Sequence, residues 1–303
     1  MGSCAINPVL PKWQIFPIRI DMDSKLPSMN GKVVLITGAT RGIGRAGALH
    51  LASLGAGLLL LGRHRGRLEE VARLSRAAGS PEVRTFVVDL SSQEQVAELG
   101  KRLILSEPKL DVLWNNAGAY YTERKVTEEG YERTWAINHL AYVRLTQSLL
   151  PLLEKSDDPR VICTASEAHR WGGVRWDNLQ GESRWDGWRA YCLTKLTNIL
   201  YVSEQGRRLC DSKIRICAMH PGLVNSALGD DNQGIGGVAF RWLKRLFGKS
   251  NEQGADTAVW LASREERPVQ GGYYAKRRQL APSLAARSVA DAERLWSMSG
   301  AKS

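Results

Sequence analysis

From Lys32 onward the chain repeats one pattern, a short and almost wholly apolar run followed by a helical stretch. The runs are KVVLIT (32–37), GLLLLG (57–62), VRTFVVDL (83–90), LDVLWNNAG (110–118), PRVICTAS (159–166), KIRICAMHPG (213–222) and GGYYA (271–275). A strand with one wet face alternates apolar and polar residues, whereas a strand covered on both faces has no such alternation. These runs barely alternate, so they predict a parallel sheet with helices on both faces. The helical stretches fall between them: to Leu54, to Ala78, from Gln93 to Leu105, from Tyr131 to Leu153, around residues 191–195, and over 252–263. No linker, repeat or low-complexity tract divides the chain. The expectation is one doubly wound α/β domain over residues 31–303 with a seven-stranded parallel sheet, preceded by an extension over residues 1–30.

Composition permits such a core, since 43% of the 303 residues are hydrophobic. The cysteines (Cys4, Cys163, Cys192, Cys210 and Cys217) are scattered and form no CxxC pair. Neither a disulfide framework nor a metal site is expected, and a reducing, cytoplasmic setting is. The net charge is +11, but Lys and Arg are spread along the chain and form no basic block. That pattern is a solvated basic surface, and no nucleic-acid partner is expected. No run of about 18 apolar residues occurs, so no membrane span is expected. The extension contains NPVLPKWQIFPIRI, apolar but broken by Pro8, Pro11 and Pro17. It lacks the charged start and unbroken apolar stretch of a signal peptide. It reads as a surface extension, with peripheral docking on a membrane or partner through Trp13, Ile15 and Phe16 as the alternative.

The first turn reads TGATRGIG. It places Gly38, Gly42 and Gly44, with Arg41 and Ile43 among them, between the first strand and its helix. Glycine lets the backbone approach a pyrophosphate, and a helix N-terminus offers unpaired N–H groups and the positive end of its dipole. The motif carries weight because of its context, with a strand before it and a helix after it. An acid at the end of the second strand would hold the ribose 2′-OH of NAD(H). That end reads LLLLGRHR, and Arg63 and Arg41 suit a 2′-phosphate instead. The expected cofactor is therefore NADP(H) rather than NAD(H).

Over residues 30–275 the chain resembles the short-chain dehydrogenase/reductase superfamily. The marks are TGxxxGxG (37–44), Asp89 after the third strand, NNAG (115–118), Asn138 in AINHL, Ser166 after the fifth strand, Tyr191 and Lys195 as YxxxK, and Pro221-Gly222. Within it, TASEAHRWGG, DNLQGE, AYCLTKLTNIL, HPGLVNSAL and the C-terminal segment are similar to the retinol dehydrogenase-like group. Three departures stand out. Ala165 takes the place of a common second serine, and Ala141 that of a frequent glycine. The membrane-anchoring N-terminal helix of many members is missing. The resemblance implies a Rossmann fold and hydride transfer between a nicotinamide and an alcohol or carbonyl carbon. It implies catalytic roles for Asn138, Ser166, Tyr191 and Lys195, with Asn138 holding a water on the proton path and Lys195 also binding the nicotinamide ribose. It places Asp89 and Leu90 at the adenine, Asn115, Asn116, Ala117 and Gly118 along the cofactor, Pro221, Gly222 and Val224 at the nicotinamide, and Ser226 at a phosphate.

The chemistry of the pair supports those roles. A free phenol titrates near 10 and exchanges its proton poorly at neutral pH. Lys195 lies one helical turn from Tyr191, and its ammonium is expected to lower the phenol's pKa. Ser166, at the end of the fifth strand, is placed to hold and polarise the substrate oxygen. His169 and His220 are read as held by packing and backbone hydrogen bonds, and Glu167 as pointing away. The stretch between Ser166 and Tyr191 holds Trp171, Trp176, Trp185 and Trp188, an aromatic lid suited to a hydrophobic small-molecule substrate. A second candidate cover is the amphipathic stretch 236–248, with Val238, Trp242 and Leu246 at helical spacing. It would cover the pocket, touch a membrane or pack on the core. The expected substrates are retinoid-like or other lipid carbonyls, with a sterol or natural-product ketone or quinone as the alternative. A catalytically silent cofactor-binding regulator is the rival of another class. The chain is expected to be a monomer or homodimer.

Overall fold

The computed structural model describes residues 26–222, 224 and 249–300. Residues 13–16 of the extension, Ser226 and the amphipathic stretch 236–248 lie outside the described residues. The described strands are β1 (Val33–Thr37), β2 (Gly57–Gly62), β3 (Val83–Val87), β4 (Val112–Asn115), β5 (Arg160–Thr164), β6 (Arg215–Met219), β7 (Gly272–Ala275) and β8 (Arg278–Leu280). They form one sheet in the order β3-β2-β1-β4-β5-β6-β7-β8. Every pairing is parallel up to β7, and β8 pairs antiparallel with β7.

Successive residues of each strand enter different apolar layers. Val34, Ile36, Leu58 and Leu60 pack with helices α1 (Gly42–Ser53), α2 (Arg65–Ala78) and α7 (Asn251–Ser263). Leu35, Leu59, Leu61 and Leu113 pack with α3 (Gln93–Ser106), α5 (Ala141–Leu153), α6 (Gly187–Arg208) and α8 (Val289–Met298). Both faces are thus buried, which is why the runs do not alternate. The strand order reverses between β1 and β4, and such a switch point opens a crevice beyond the strands' carboxyl ends.

The sheet has eight strands where seven parallel ones are expected. β8 escapes sequence reading because it is three residues long and two of the three, Arg278 and Gln279, are polar. Its turn uses Lys276 and Arg277 at positive φ (50° and 55°), where glycine or asparagine is the usual signal. Arg277 is held in that turn by Asp256 of α7. The helix expected from Tyr131 to Leu153 begins at Arg133, where α4 (Arg133–Trp135) starts under a Glu132 cap. It passes through a π-helical segment, Ala136–Leu140, before α5. Such segments mark local distortions that often serve a site, and this one carries Asn138.

Helix α1 lies close against β4 because Gly47 has no side chain. A Cβ there would sit 2.2 Å from Cζ3 of Trp114. Trp114 is buried and donates from Nε1 to the Thr164 hydroxyl at 3.0 Å, so it has no room to yield. Gly47→Ala is expected to destabilise the protein by about 1–3 kcal/mol, read as a lower urea midpoint at unchanged slope. An unchanged midpoint would mean that the helix and strand are not in contact.

Candidate active site

One cavity of about 510 Å³ runs along the carboxyl ends of the strands. At one end the loop from Gly38 to Gly44 forms its wall. Gly38 adopts φ +68°, and a Cβ on it would lie 2.9 Å from Cα of Ala117. A Cβ on Gly44 would lie 2.4 Å from the Gly38 carbonyl oxygen. Any side chain here would fill the cradle. Helix α1 starts at Gly42 with no side-chain cap and no acid in its first turn. Its N-terminal N–H groups and dipole therefore suit an anion. Arg41, Arg63 and His64 line the same end, with Asp89 and Leu90 beside them.

The middle of the cavity is set by one hydroxyl. Thr37 Oγ1, at the end of β1, accepts from the backbone N–H groups of Asn116 (2.8 Å) and Ala117 (2.9 Å). The Asn116 side chain donates to the Thr37 carbonyl at 2.9 Å. Tyr142 on α5 donates its hydroxyl to the Ala117 carbonyl at 2.8 Å. These bonds fix the Asn116–Gly118 turn against β1. Asn115 does not reach the cavity. It is buried in β4 and donates to Thr146 Oγ1 at 3.0 Å, because strand alternation turns it away from Asn116.

At the far end Ser166, Tyr191 and Lys195 line the wall together. Lys195 donates from Nζ to the Thr164 carbonyl at 2.9 Å, and Nζ lies 5.6 Å from the Tyr191 ring centroid and 5.8 Å from that of Tyr142. Asn138 stands behind this wall, fully buried. Its Oδ1 accepts from Ala119 N–H at 2.7 Å, and its Nδ2 donates to the Ala119 carbonyl (2.9 Å) and to Thr194 Oγ1 (3.1 Å). The π segment thereby ties the turn after β4 to the helix that carries Tyr191 and Lys195. Pro221, Gly222 and Val224 close the remaining side.

A family model described as "short chain dehydrogenase" matches residues 32–233. The chain belongs to the short-chain dehydrogenase family. It is 35% identical to retinol dehydrogenase 14 of Homo sapiens over 290 residues, covering 89% of this chain and 86% of that one. It is 38% identical to a Streptomyces sp. (strain C5) protein named as a daunorubicin C-13 ketoreductase, covering 89% and 92%. These relatives place it in the retinol dehydrogenase-like group of the short-chain dehydrogenases. Among solved structures, an uncharacterized protein from Mycobacterium paratuberculosis superposes with TM-score 0.73 at 28% identity, covering 91% and 94%. An alcohol dehydrogenase from Thermococcus sibiricus complexed with 5-hydroxy-NADP superposes with TM-score 0.60 at 26% identity, covering 78% and 93%.

In this short-chain dehydrogenase the mouth of the cavity is aromatic, but only two of the four tryptophans of the insert reach it. Trp171 and Trp188 line the cavity, 66% and 40% exposed, with ring centroids 6.3 Å apart. Trp188 stacks over Tyr191 at 6.0 Å, and Tyr120 meets Tyr191 edge-on at 6.0 Å. Trp176 instead donates to Asp291 of α8 at 3.2 Å, and Trp185 covers Gly181. Gln180 accepts from the Glu132 N–H at 2.9 Å, which ties the insert to α4. Among the described residues, no helix is long and apolar enough to cross a membrane.

His169 is held as the sequence suggests. Its Nδ1 bonds the Ser166 carbonyl at 2.7 Å, and its Nε2 accepts from Ser283 N–H at 3.1 Å. Glu167 does not point away: it lines the cavity and bonds Arg170 and His220. A 3-10 turn over Glu167–Trp171, capped by Ser166, swings it inward, and nothing in TASEAH signals that turn.

The expected effect of Lys195 on Tyr191 is not what dominates. Burial pushes the Tyr191 phenol up to about 12, and a hydrogen bond from Ser166 to its ionised form only partly offsets this. Burial pushes Lys195 down to about 8. Both groups lose water, and each is driven toward its neutral form. At pH 7 Tyr191 therefore holds its proton and Lys195 is still largely charged. Lys195 is expected to lose its proton around pH 8, against an ordinary value of 10.5, as read by NMR of a 13C-methylated lysine signal assigned through Lys195→Arg. Titration at the ordinary value would mean that the ammonium is solvated.

Proposed function

We propose that the chain is an NADP(H)-dependent oxidoreductase that interconverts apolar aldehydes or ketones and their alcohols by proton exchange at Tyr191. The observation that carries this reading is a single cavity. It joins an anion cradle with two guanidiniums at one end to Ser166, Tyr191 and Lys195 under an aromatic mouth at the other. Gly38, Gly42 and Gly44 leave room for a pyrophosphate, and Arg41 and Arg63 suit a 2′-phosphate that Asp or Glu would repel. The 5-hydroxy-NADP named with the Thermococcus structure supports that choice. When bound, the nicotinamide supplies or accepts the hydride.

The chain's own residues do the rest. Ser166 holds the substrate oxygen. Tyr191, protonated at neutral pH, gives that oxygen its proton in the reducing direction. Lys195 stands beside the ring, and its charge stabilises the phenolate that forms. Asn138 keeps Thr194, and so the helix of the pair, in place against Ala119. Asp89 and Leu90 border the adenine side, Pro221, Gly222 and Val224 the nicotinamide side, and Ser226 remains a phosphate candidate. A retinol dehydrogenase and a C-13 ketoreductase among the relatives support alcohol and ketone as the reacting groups. Trp171 and Trp188 favour an apolar substrate, because such a molecule covers rings otherwise left in water.

One assay tests both halves. Arg63→Asp is expected to weaken NADPH roughly ten- to hundredfold, the worth of a lost charge-assisted bond, while NADH changes little. Tyr191→Phe is expected to lower kcat by roughly 10²–10⁴ with coenzyme affinity retained. Equal losses for both coenzymes, or full turnover by Tyr191→Phe, would overturn the corresponding half.

A further inference from the structure

His220 and Glu167 join two segments that the reaction must hold apart at a fixed distance. Glu167 follows Ser166 after β5, and His220 precedes the Pro221-Gly222 turn after β6. The Gly222 N–H donates to His220 Nδ1 at 3.1 Å. Nδ1 is therefore an acceptor, and the ring proton is on Nε2. Nε2 lies 3.2 Å from Glu167 Oε2 and donates to it, while the Arg170 guanidinium engages Oε1. Tyr273 of β7 stacks on the imidazole from behind, with centroids 5.6 Å apart and planes 23° apart. The ring is thus fixed on one face and at both nitrogens. Gly222 sits at φ +84°, and both Gly222 and Glu167 line the cavity.

Resting on the reaction assigned above, we propose that His220 and Glu167 are positioning residues: together they clamp the Gly222 turn to the Ser166 segment and so hold the substrate oxygen in register with the coenzyme. The clamp works only with neutral imidazole. Protonation would set a ring N–H against the Gly222 N–H and break that bond. Among the described residues, five groups face the ring: Glu167, His169 and Arg170 from the turn after β5, Tyr273 from β7, and Lys249 from before α7. Burial lowers its pKa below the ordinary 6.5, Glu167 opposes this, and His169, Lys249 and Arg170 add to the lowering. The clamp is therefore whole at neutral pH and is lost as pH falls below the ordinary imidazole range.

Three readings test the clamp. His220→Phe keeps the stack on Tyr273 but neither hydrogen bond, and its kcat is expected to fall roughly ten- to hundredfold, the cost of misplaced reactants. His220→Asn keeps an acceptor where Nδ1 stood and cannot be protonated. It is expected to recover part of that loss and to abolish the acid limb of the wild-type rate profile. Amide hydrogen exchange at Gly222, read without substrate, is expected to be slowed in wild type at neutral pH and unprotected in His220→Phe. Wild-type kcat in His220→Phe, an acid limb that persists in His220→Asn, or equal exchange at Gly222 in wild type and His220→Phe would each overturn the clamp. If neither carbonyls nor alcohols turn over but the Gly222 difference is found, the fastening of the Gly222 turn by His220 stands and the assigned reaction is refuted.

Discussion

A buried ammonium is costly unless hydrogen bonds replace its water, and the site is arranged around that requirement. Lys195 is 3% exposed. It is held by the Thr164 carbonyl, and the rings of Tyr191 and Tyr142 present their electron-rich faces within 6 Å. Thr164 ends β5, so the ammonium can be placed only if β5 ends where it does. Tyr142 is placed by its bond to Ala117, and Ala117 by Thr37 of β1. The position of one charge thus depends on the ends of three neighbouring strands, β1, β4 and β5. Only the carboxyl edge of a parallel sheet brings three strand ends to one point in this way.

The cavity combines two environments. At the coenzyme end the groups offered are backbone N–H and guanidinium, fixed by glycines that leave no room for side chains. At the other end they are aromatic, with Ser166, Tyr191 and Lys195 as polar groups in the wall and Glu167 at the edge. Desolvation at this end keeps Tyr191 protonated, which suits a group that donates to a carbonyl oxygen. The same desolvation weakens the hold of Lys195 on its own proton, so a neutral phenol and a charged ammonium stand side by side only over a limited range of pH.

Much of this was legible in the sequence. The unbroken apolar runs specify strands covered on both faces, and the structure divides Val34 and Leu35 between two layers. TGATRGIG and YCLTK mark the two ends of the cavity because each needs particular residue types at fixed spacing. What the sequence left out depends on direction rather than on type. Asn115 and Asn116 look alike in NNAG, yet strand alternation buries one and opens the other to the cavity. Four tryptophans look alike in the insert, yet Trp176 is anchored on Asp291 and Trp185 packs on Gly181, which leaves two at the mouth. Thr37 is the first residue of TGATRGIG and Tyr142 stands in no motif, and the bonds each makes emerge only from partners 25 to 80 residues away. The sign of the Tyr191 shift was missed because burial, which no short motif reports, outweighs the neighbouring charge.

The central claim is that this cavity reduces apolar carbonyls with NADPH. The most direct measurement is NADPH oxidation by the full chain across aldehydes and ketones of increasing apolar length. The account predicts that kcat/KM rises with apolar area buried at the mouth, and that the rise is blunted in Trp188→Ala. Tight NADPH binding with no turnover of any carbonyl, or of any alcohol in the reverse direction, would contradict it.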